Sequence, residues 1–215
     1  MMPQRFFNFV LLILLCNIPQ GCAPVFSELQ SARTAGKHNI EATPSFSSVT
    51  LTDNGNTNGV QNHAGLQLGW GLTNEFDLRL RYEYIWLKGN GNDGGTSVLG
   101  LGPKFGVVKD RLAFSIPVGR AFGYNSSNTW ELHPTVLFTQ PVIMDKLELT
   151  LSGKYLAQLR NEANNKIAFN LGMAVSTGLS RWAIRPEYGI LVDPGSSAYF
   201  SHFSIGVTGY FGKED

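Results

Sequence analysis

Three of the chain's four histidines, one serine and eleven charged residues have the types and spacing that could do chemistry. His63, His133 and His202 could offer imidazoles to a metal, which needs ring nitrogens about 2 Å from one ion. His202 and Ser204 stand two apart, the spacing at which a strand puts a base and a hydroxyl on one face. The run NGNTNG at 54–59 has the spacing of the first half of a calcium loop, but Gly65 occupies the place of the bidentate Glu. GNGNDGG at 89–95 has the glycines of a phosphate loop but no helix after it to present amides. Both runs therefore read as polar loops. The eleven charges are Glu41, Asp77, Arg79, Arg81, Glu83, Lys104, Glu131, Glu148, Lys154, Arg185 and Glu187. Six acids and five bases on facing walls would make a network of ion pairs rather than a catalytic constellation.

The elements that must position these residues are strands. Beyond residue 38 the dominant period is two, not 3.6. Phe76, Leu78, Leu80, Tyr82, Tyr84 and Trp86 alternate with Asp77, Arg79, Arg81 and Glu83, giving one apolar and one charged face. The same phase runs through nine more segments, from the one starting near Ile40 to the one ending at Phe211. On this phasing the three histidines fall on strands 2, 6 and 10, too far apart around a wall to share a metal. The segments are about 9–12 residues long, enough for a tilted strand to cross a bilayer. Their connections alternate between long polar loops, such as 52–62, and short turns such as Lys109–Arg111. The fold expected is all-β: a closed, antiparallel, up-and-down transmembrane β-barrel of ten strands, with both termini at the short-turn end.

Composition supports that class and excludes others. The chain has 17 Lys plus Arg against 16 Asp plus Glu, a net charge of +1, and no Cys after residue 22. It therefore lacks an electrostatic grip on nucleic acid, a disulfide framework and a thiolate metal site. No cofactor and no metal are implied. A charged fraction of 15% is low for a soluble domain, where roughly 25% is usual. All eleven of the charges named above fall on the polar faces, which are also rich in Gly. Trp70, Trp86, Trp130 and Trp182 fall near strand ends on the apolar faces, as a membrane girdle requires. A small barrel tolerates Gly and paired charge on its crowded inner side. The apolar faces are therefore read as outward, the polar faces as a narrow or plugged lumen. Pro44, Pro103, Pro117, Pro134 and Pro186 oppose the assignment, because each removes a ladder donor.

Residues 1–21 read as a secretory signal, with Arg5 ahead of an apolar run from Phe6 to Cys16 that is too short to span a bilayer. Gly21-Cys22 resembles the end of a bacterial lipoprotein signal, which implies a lipid on Cys22. Residues 22–37 are then expected as a periplasmic tether, 38–211 as the barrel and 212–215 as a tail. Gly206, Tyr210 and Phe211 resemble the C-terminal barrel-assembly signal, although GKED follows. The chain from about residue 25 resembles small outer-membrane β-barrel proteins of Gram-negative bacteria. That resemblance implies a cell outer-membrane location, periplasmic termini, and membrane lipid and the barrel-assembly machinery as partners. It leaves room for an extracellular ligand at the loops. The role it implies is structural, surface-interactive or limited transport.

Two alternatives stand beside it. One is a soluble, secreted, lipocalin-like barrel that turns its apolar face inward around a hydrophobic ligand. The other is a lipid-modifying enzyme, because His202-x-Ser204 resembles the pair of the lipid A 3-O-deacylases. In that family the pair faces lipid, whereas here it faces the lumen and Ile205 stands where Asn belongs; a non-enzymatic role is expected. Cys22→Ser should abolish incorporation of labelled fatty acid, and label retained in that variant would refute the anchor.

Overall fold

The computed structural model describes residues 24–88, 95–123, 129–159 and 165–212. Twelve strands form one sheet: β1 (Ile40–Asp53), β2 (Asn56–Gly71), β3 (Phe76–Leu87), β4 (Thr96–Val108), β5 (Leu112–Ser115), β6 (Val118–Gly123), β7 (Trp130–Leu132), β8 (Thr135–Ile143), β9 (Leu147–Gln158), β10 (Lys166–Val175), β11 (Trp182–Val192) and β12 (Tyr199–Phe211). β5 and β6 form a single stave interrupted at Ile116–Pro117, and β7 and β8 another interrupted at His133–Pro134. The barrel therefore has ten antiparallel staves, and it closes where β12 pairs with β1 from Ile40↔Phe211 to Thr52↔Tyr199. Closure matters because an open edge would leave a row of unpaired backbone groups.

The burial pattern is inverted relative to a water-soluble domain. Leu151, Phe169, Tyr188 and Phe203 are all more than half exposed, while Asp77, Lys104 and Glu148 are fully buried. All eleven charged residues singled out in the sequence point inward, and the apolar partners of their alternation point outward. Apolar-in burial, which a lipocalin-like barrel requires, is not what the chain adopts.

The prolines are absorbed one seam at a time. Pro103, Pro117 and Pro134 sit at one level on neighbouring staves. Each keeps the bond its carbonyl can accept, from Ile116 N, His133 N and Tyr155 N respectively, at 2.9–3.0 Å. Each loses only the bond its own nitrogen would have donated. Two staves break into paired short strands at this level as a result. The Thr135 hydroxyl donates to the His133 carbonyl at 2.9 Å, covering part of the deficit. Pro44 drops out of the β1–β12 ladder and Pro186 out of the β10–β11 ladder, while each stays paired on its other side.

Two sequence expectations need correction. The stretch 52–62, expected as a long polar loop, is mostly strand. β1 and β2 run on to a two-residue turn at Asn54-Gly55, where φ is 49° and 79°. Asn-Gly accepts the left-handed conformation at both positions of such a turn, so the hairpin needs no longer loop. The second correction concerns residues 22–37, expected as a tether outside the barrel. From residue 24 this segment lies inside it, with Val25, Phe26, Ser27, Glu28, Leu29, Ser31, Ala32 and Ala35 all buried. Cys22 itself and the signal segment 1–21 lie outside the described residues, as do 213–215 of the tail.

Leu171, mid-strand in β10 and 52% exposed, tests which face meets lipid. Leu171→Arg should cost about 2–4 kcal/mol in bilayer-reconstituted unfolding. A change within a few tenths would show that this face meets water.

Candidate functional site

The lumen is the site, and its occupant is the chain's own N-terminal segment. Residues 24–35 take no regular structure, and Leu29 adopts a positive φ of 53°. The segment therefore makes no ladder with itself or the wall. Buried backbone N–H and C=O groups must still be paired. The wall's own backbone is committed to the sheet, so side chains must do the pairing.

They do so for the amides of residues 28, 29, 32 and 35 and the carbonyls of 26, 27, 28, 31 and 33. The Glu187 carboxylate accepts from Glu28 N and Leu29 N, both at 2.7 Å. Lys104 Nζ donates to the carbonyls of Ser31 and Arg33 at 2.6 and 2.5 Å. Arg81 donates to the Ser27 carbonyl and hydroxyl. Asn170 Nδ2 reaches the Phe26 carbonyl at 3.0 Å, and Gln67 Nε2 the Glu28 carbonyl at 2.9 Å. Thr139 Oγ1 accepts from Ala32 N at 2.8 Å, and Asp77 from Ala35 N. Two ion pairs add to this cradle: Lys154 Nζ to Glu28 at 2.5 Å, and Arg33 Nε to Glu148 at 2.7 Å. Hydrogen bonds with one charged partner are roughly twice as strong as neutral ones. Most of the cradle is of that kind.

The remaining charges pair along and between the staves of the wall. Arg79 lies between Glu41 at 2.9 Å and Asp77 at 2.8 Å, and Arg81 contacts Glu83 at 2.6 Å. Arg185 donates to Thr208 Oγ1 at 2.9 Å and to Tyr210 at 3.3 Å, with Glu148 at 3.7 Å. Glu131 takes His133, 2.9 Å away. The charges of the wall thus meet as local pairs. Lys104, Lys154 and Glu187 serve the segment instead, and sequence reasoning missed its own contributions, Glu28 and Arg33. The available signal was a run rich in small and hydroxyl residues, Phe26 to Ala35, carrying two opposite charges and two large apolar anchors. Asn170, Gln67 and Thr139 gave none, because a polar inward residue is ordinary in such a lumen.

The histidines do not converge. His63 lies beside Gln61 at 2.7 Å and 3.6 Å from Glu83. His202 Nδ1 is 2.7 Å from Ser204 Oγ, and its Nε2 is 3.1 Å from Asn170 Oδ1. Ser204 is also 2.6 Å from Ser47 Oγ and fully buried, and Phe26 packs edge-on over the His202 ring at 4.7 Å. The pair therefore faces the segment rather than lipid. Among the described residues no three His, Cys, Asp or Glu side chains are grouped to hold a metal. In the assembly-signal region, Phe211 points outward, Tyr210 points inward to Arg185, and Gly206 lies against Thr43 and Leu29.

A cavity of about 50 Å³ lies between Val25, Glu28, Gln67, Arg81, His133 and Lys154. That volume holds a few waters and no solute of ordinary size.

No protein-family model and no curated protein sequence matches the chain. Among solved structures, it is similar to the translocator domain of the autotransporter NalP from Neisseria meningitidis, at 10% identity, over 96% of each chain, with a TM-score of 0.44. It is also similar to the KdgM porin, at 10% identity over 80% of this chain and 99% of that one, TM-score 0.43. The attachment invasion locus protein Ail of Yersinia pestis aligns at 8% identity over 81% and 99%, TM-score 0.38. These likenesses extend to barrel architecture alone.

Glu187→Gln keeps the side chain's shape but removes the charge and one acceptor from the two amides it holds. Stability should fall by about 1.5–3 kcal/mol, with faster hydrogen exchange at the amides of residues 28 and 29. Unchanged exchange at both amides would refute the cradle.

Proposed function

We propose that this chain is an outer-membrane β-barrel closed by its own N-terminal segment, with a structural or surface-interaction role and limited transport at most. The observation that carries it is the inverted barrel: Lys104, Asp77 and Glu148 fully buried inside a wall whose outer face is Leu, Phe, Tyr and Trp. In water that outer face would expose a continuous apolar belt far beyond what a soluble monomer tolerates. In a bilayer the same belt is matched, and every inward charge has a partner. The long connections lie on the extracellular side and the short turns on the periplasmic side, the arrangement usual for barrels of this kind.

The finer parts of the reading follow from this placement. Membrane lipid and the barrel-assembly machinery are its partners, the latter through Gly206, Tyr210 and Phe211. A lipid on Cys22 anchors the segment that fills the lumen. The burial of Ser204 between His202 and Ser47, with Phe26 over the His202 ring, favours a non-enzymatic role, and the loops are where an extracellular ligand would bind.

Carbonate extraction and gel mobility with and without boiling test the membrane assignment. Retention in the membrane pellet and a heat-dependent mobility shift are expected; a carbonate-soluble protein without a shift would overturn it. Conductance in planar bilayers tests the plug. The intact protein should show no sustained opening, whereas a variant lacking residues 25–35 that still shifts on heating should conduct. A heat-modifiable deletion that remains silent would count against a segment-closed lumen.

A further inference from the structure

The segment in the lumen has a direction, and that direction decides on which side of the membrane the preceding chain lies. Phe26 packs with Val49, Leu156, Ala168 and Leu191. Leu156, Ala168 and Leu191 lie within two residues of the loop-side ends of β9, β10 and β11. Phe26 is therefore at the loop mouth. Ala32 packs with Ala113 and Leu137, toward the other end. Thr34 Oγ1 donates to the carbonyl of Asn74 in the β2–β3 turn, and His38 N donates to the carbonyl of Gly71. Residues 34–38 are at the turn mouth. The nine residue steps from Phe26 to Ala35 span up to roughly 30 Å, the thickness of a bilayer's hydrocarbon core.

The direction is specified by chemistry. The wall presents acceptors to the amides of residues 28, 29, 32 and 35 and donors to the carbonyls of 26, 27, 28, 31 and 33. A segment threaded the other way would meet these groups out of order. Glu28 would also leave Lys154, and Arg33 would leave Glu148. Finally, the chain reverses at the turn mouth, through positive φ at Gly36 and His38, directly into β1. It can have entered only from the loop mouth.

We infer that the barrel delivers whatever precedes residue 24 to its loop side, so that a lipid on Cys22 lies in the outer leaflet. Both termini of the barrel strands are at the turn end, which alone would place the lipid in the inner leaflet; the lumenal segment reverses that assignment. The leaflet assignment rests on the proposed outer-membrane orientation, but the threading direction does not.

The test places a short epitope after Ala23, with control epitopes after Gly195 in a loop and after Lys109 in a turn, each in a separate full-length chain. Antibody binding is read on intact and on permeabilised cells. The Ala23 epitope should behave as the Gly195 epitope does, binding on intact cells to the same extent. Binding that follows the Lys109 epitope, only after permeabilisation, would overturn the inference. If the Gly195 and Ala23 epitopes both require permeabilisation while Lys109 does not, the proposed orientation fails and the threading direction stands. A Pro24→Cys variant, probed with a membrane-impermeant maleimide on intact cells, repeats the reading without an insertion; labelling equal to that of a Gly195→Cys control is expected. Labelling of Pro24→Cys only after lysis, while the control labels on intact cells, would overturn the inference.

Discussion

Hydrocarbon offers no hydrogen bonds, and a polypeptide carries a donor and an acceptor at nearly every residue. That constraint requires the wall to be a closed sheet and its outer face to be apolar. It also holds the eleven charges named above on the inside, where a small radius crowds the side chains together, while Arg120 lies over the outward rings of Phe122 and Trp130. An interior of that kind must be filled without leaving ions unpaired. The N-terminal segment solves both problems, supplying bulk through Phe26 and Leu29 and counter-charges through Glu28 and Arg33.

The solution runs in both directions. An irregular backbone in a water-poor space needs about two partners per residue, and a barrel wall has no spare backbone groups to give. Glu187, Lys104, Arg81, Asn170, Gln67, Thr139 and Asp77 supply nine of them from their side chains. Removing a single charged partner would leave a buried amide or carbonyl exposed to the full cost of its desolvation, about 1–3 kcal/mol. Space is regulated with equal economy. A Cβ at Gly71 would fall 1.7 Å from the Gly36 carbonyl oxygen, so the chain could not reverse there with any larger residue. Gly65 and Gly69 make comparable room for the Glu83 carboxylate and the Arg79 guanidinium.

Much of this was legible in advance. Ten alternating stretches, the phase of every charge within them and the prolines as points of trouble all come from local pattern. Pro103 was unaccountable as a single residue. It became intelligible once Pro117 and Pro134 were seen at its level on neighbouring staves, because each then costs one bond on one seam. The Asn54-Gly55 turn was present in the letters, but the polar residues around it concealed that strand pairing could continue to the tip. Residues 22–37 read as a tether for a related reason. Their pattern of small residues, hydroxyls and isolated apolar side chains has no period, and a segment without a period gives no sign of where it goes.

The sequence by itself determined the class of the wall, because a period of two with eleven charges on one phase has one arrangement in which both faces are satisfied. It also determined which residues line the lumen, since side-chain direction along a strand follows from residue parity. What those residues bind was decided only by the tertiary structure. Whether Lys104 meets a carboxylate across the barrel or a carbonyl of a threaded chain depends on distances between residues some seventy positions apart. No local pattern encodes such distances, and the same holds for the direction of the threaded segment, which is set by the order of donors and acceptors around a closed wall.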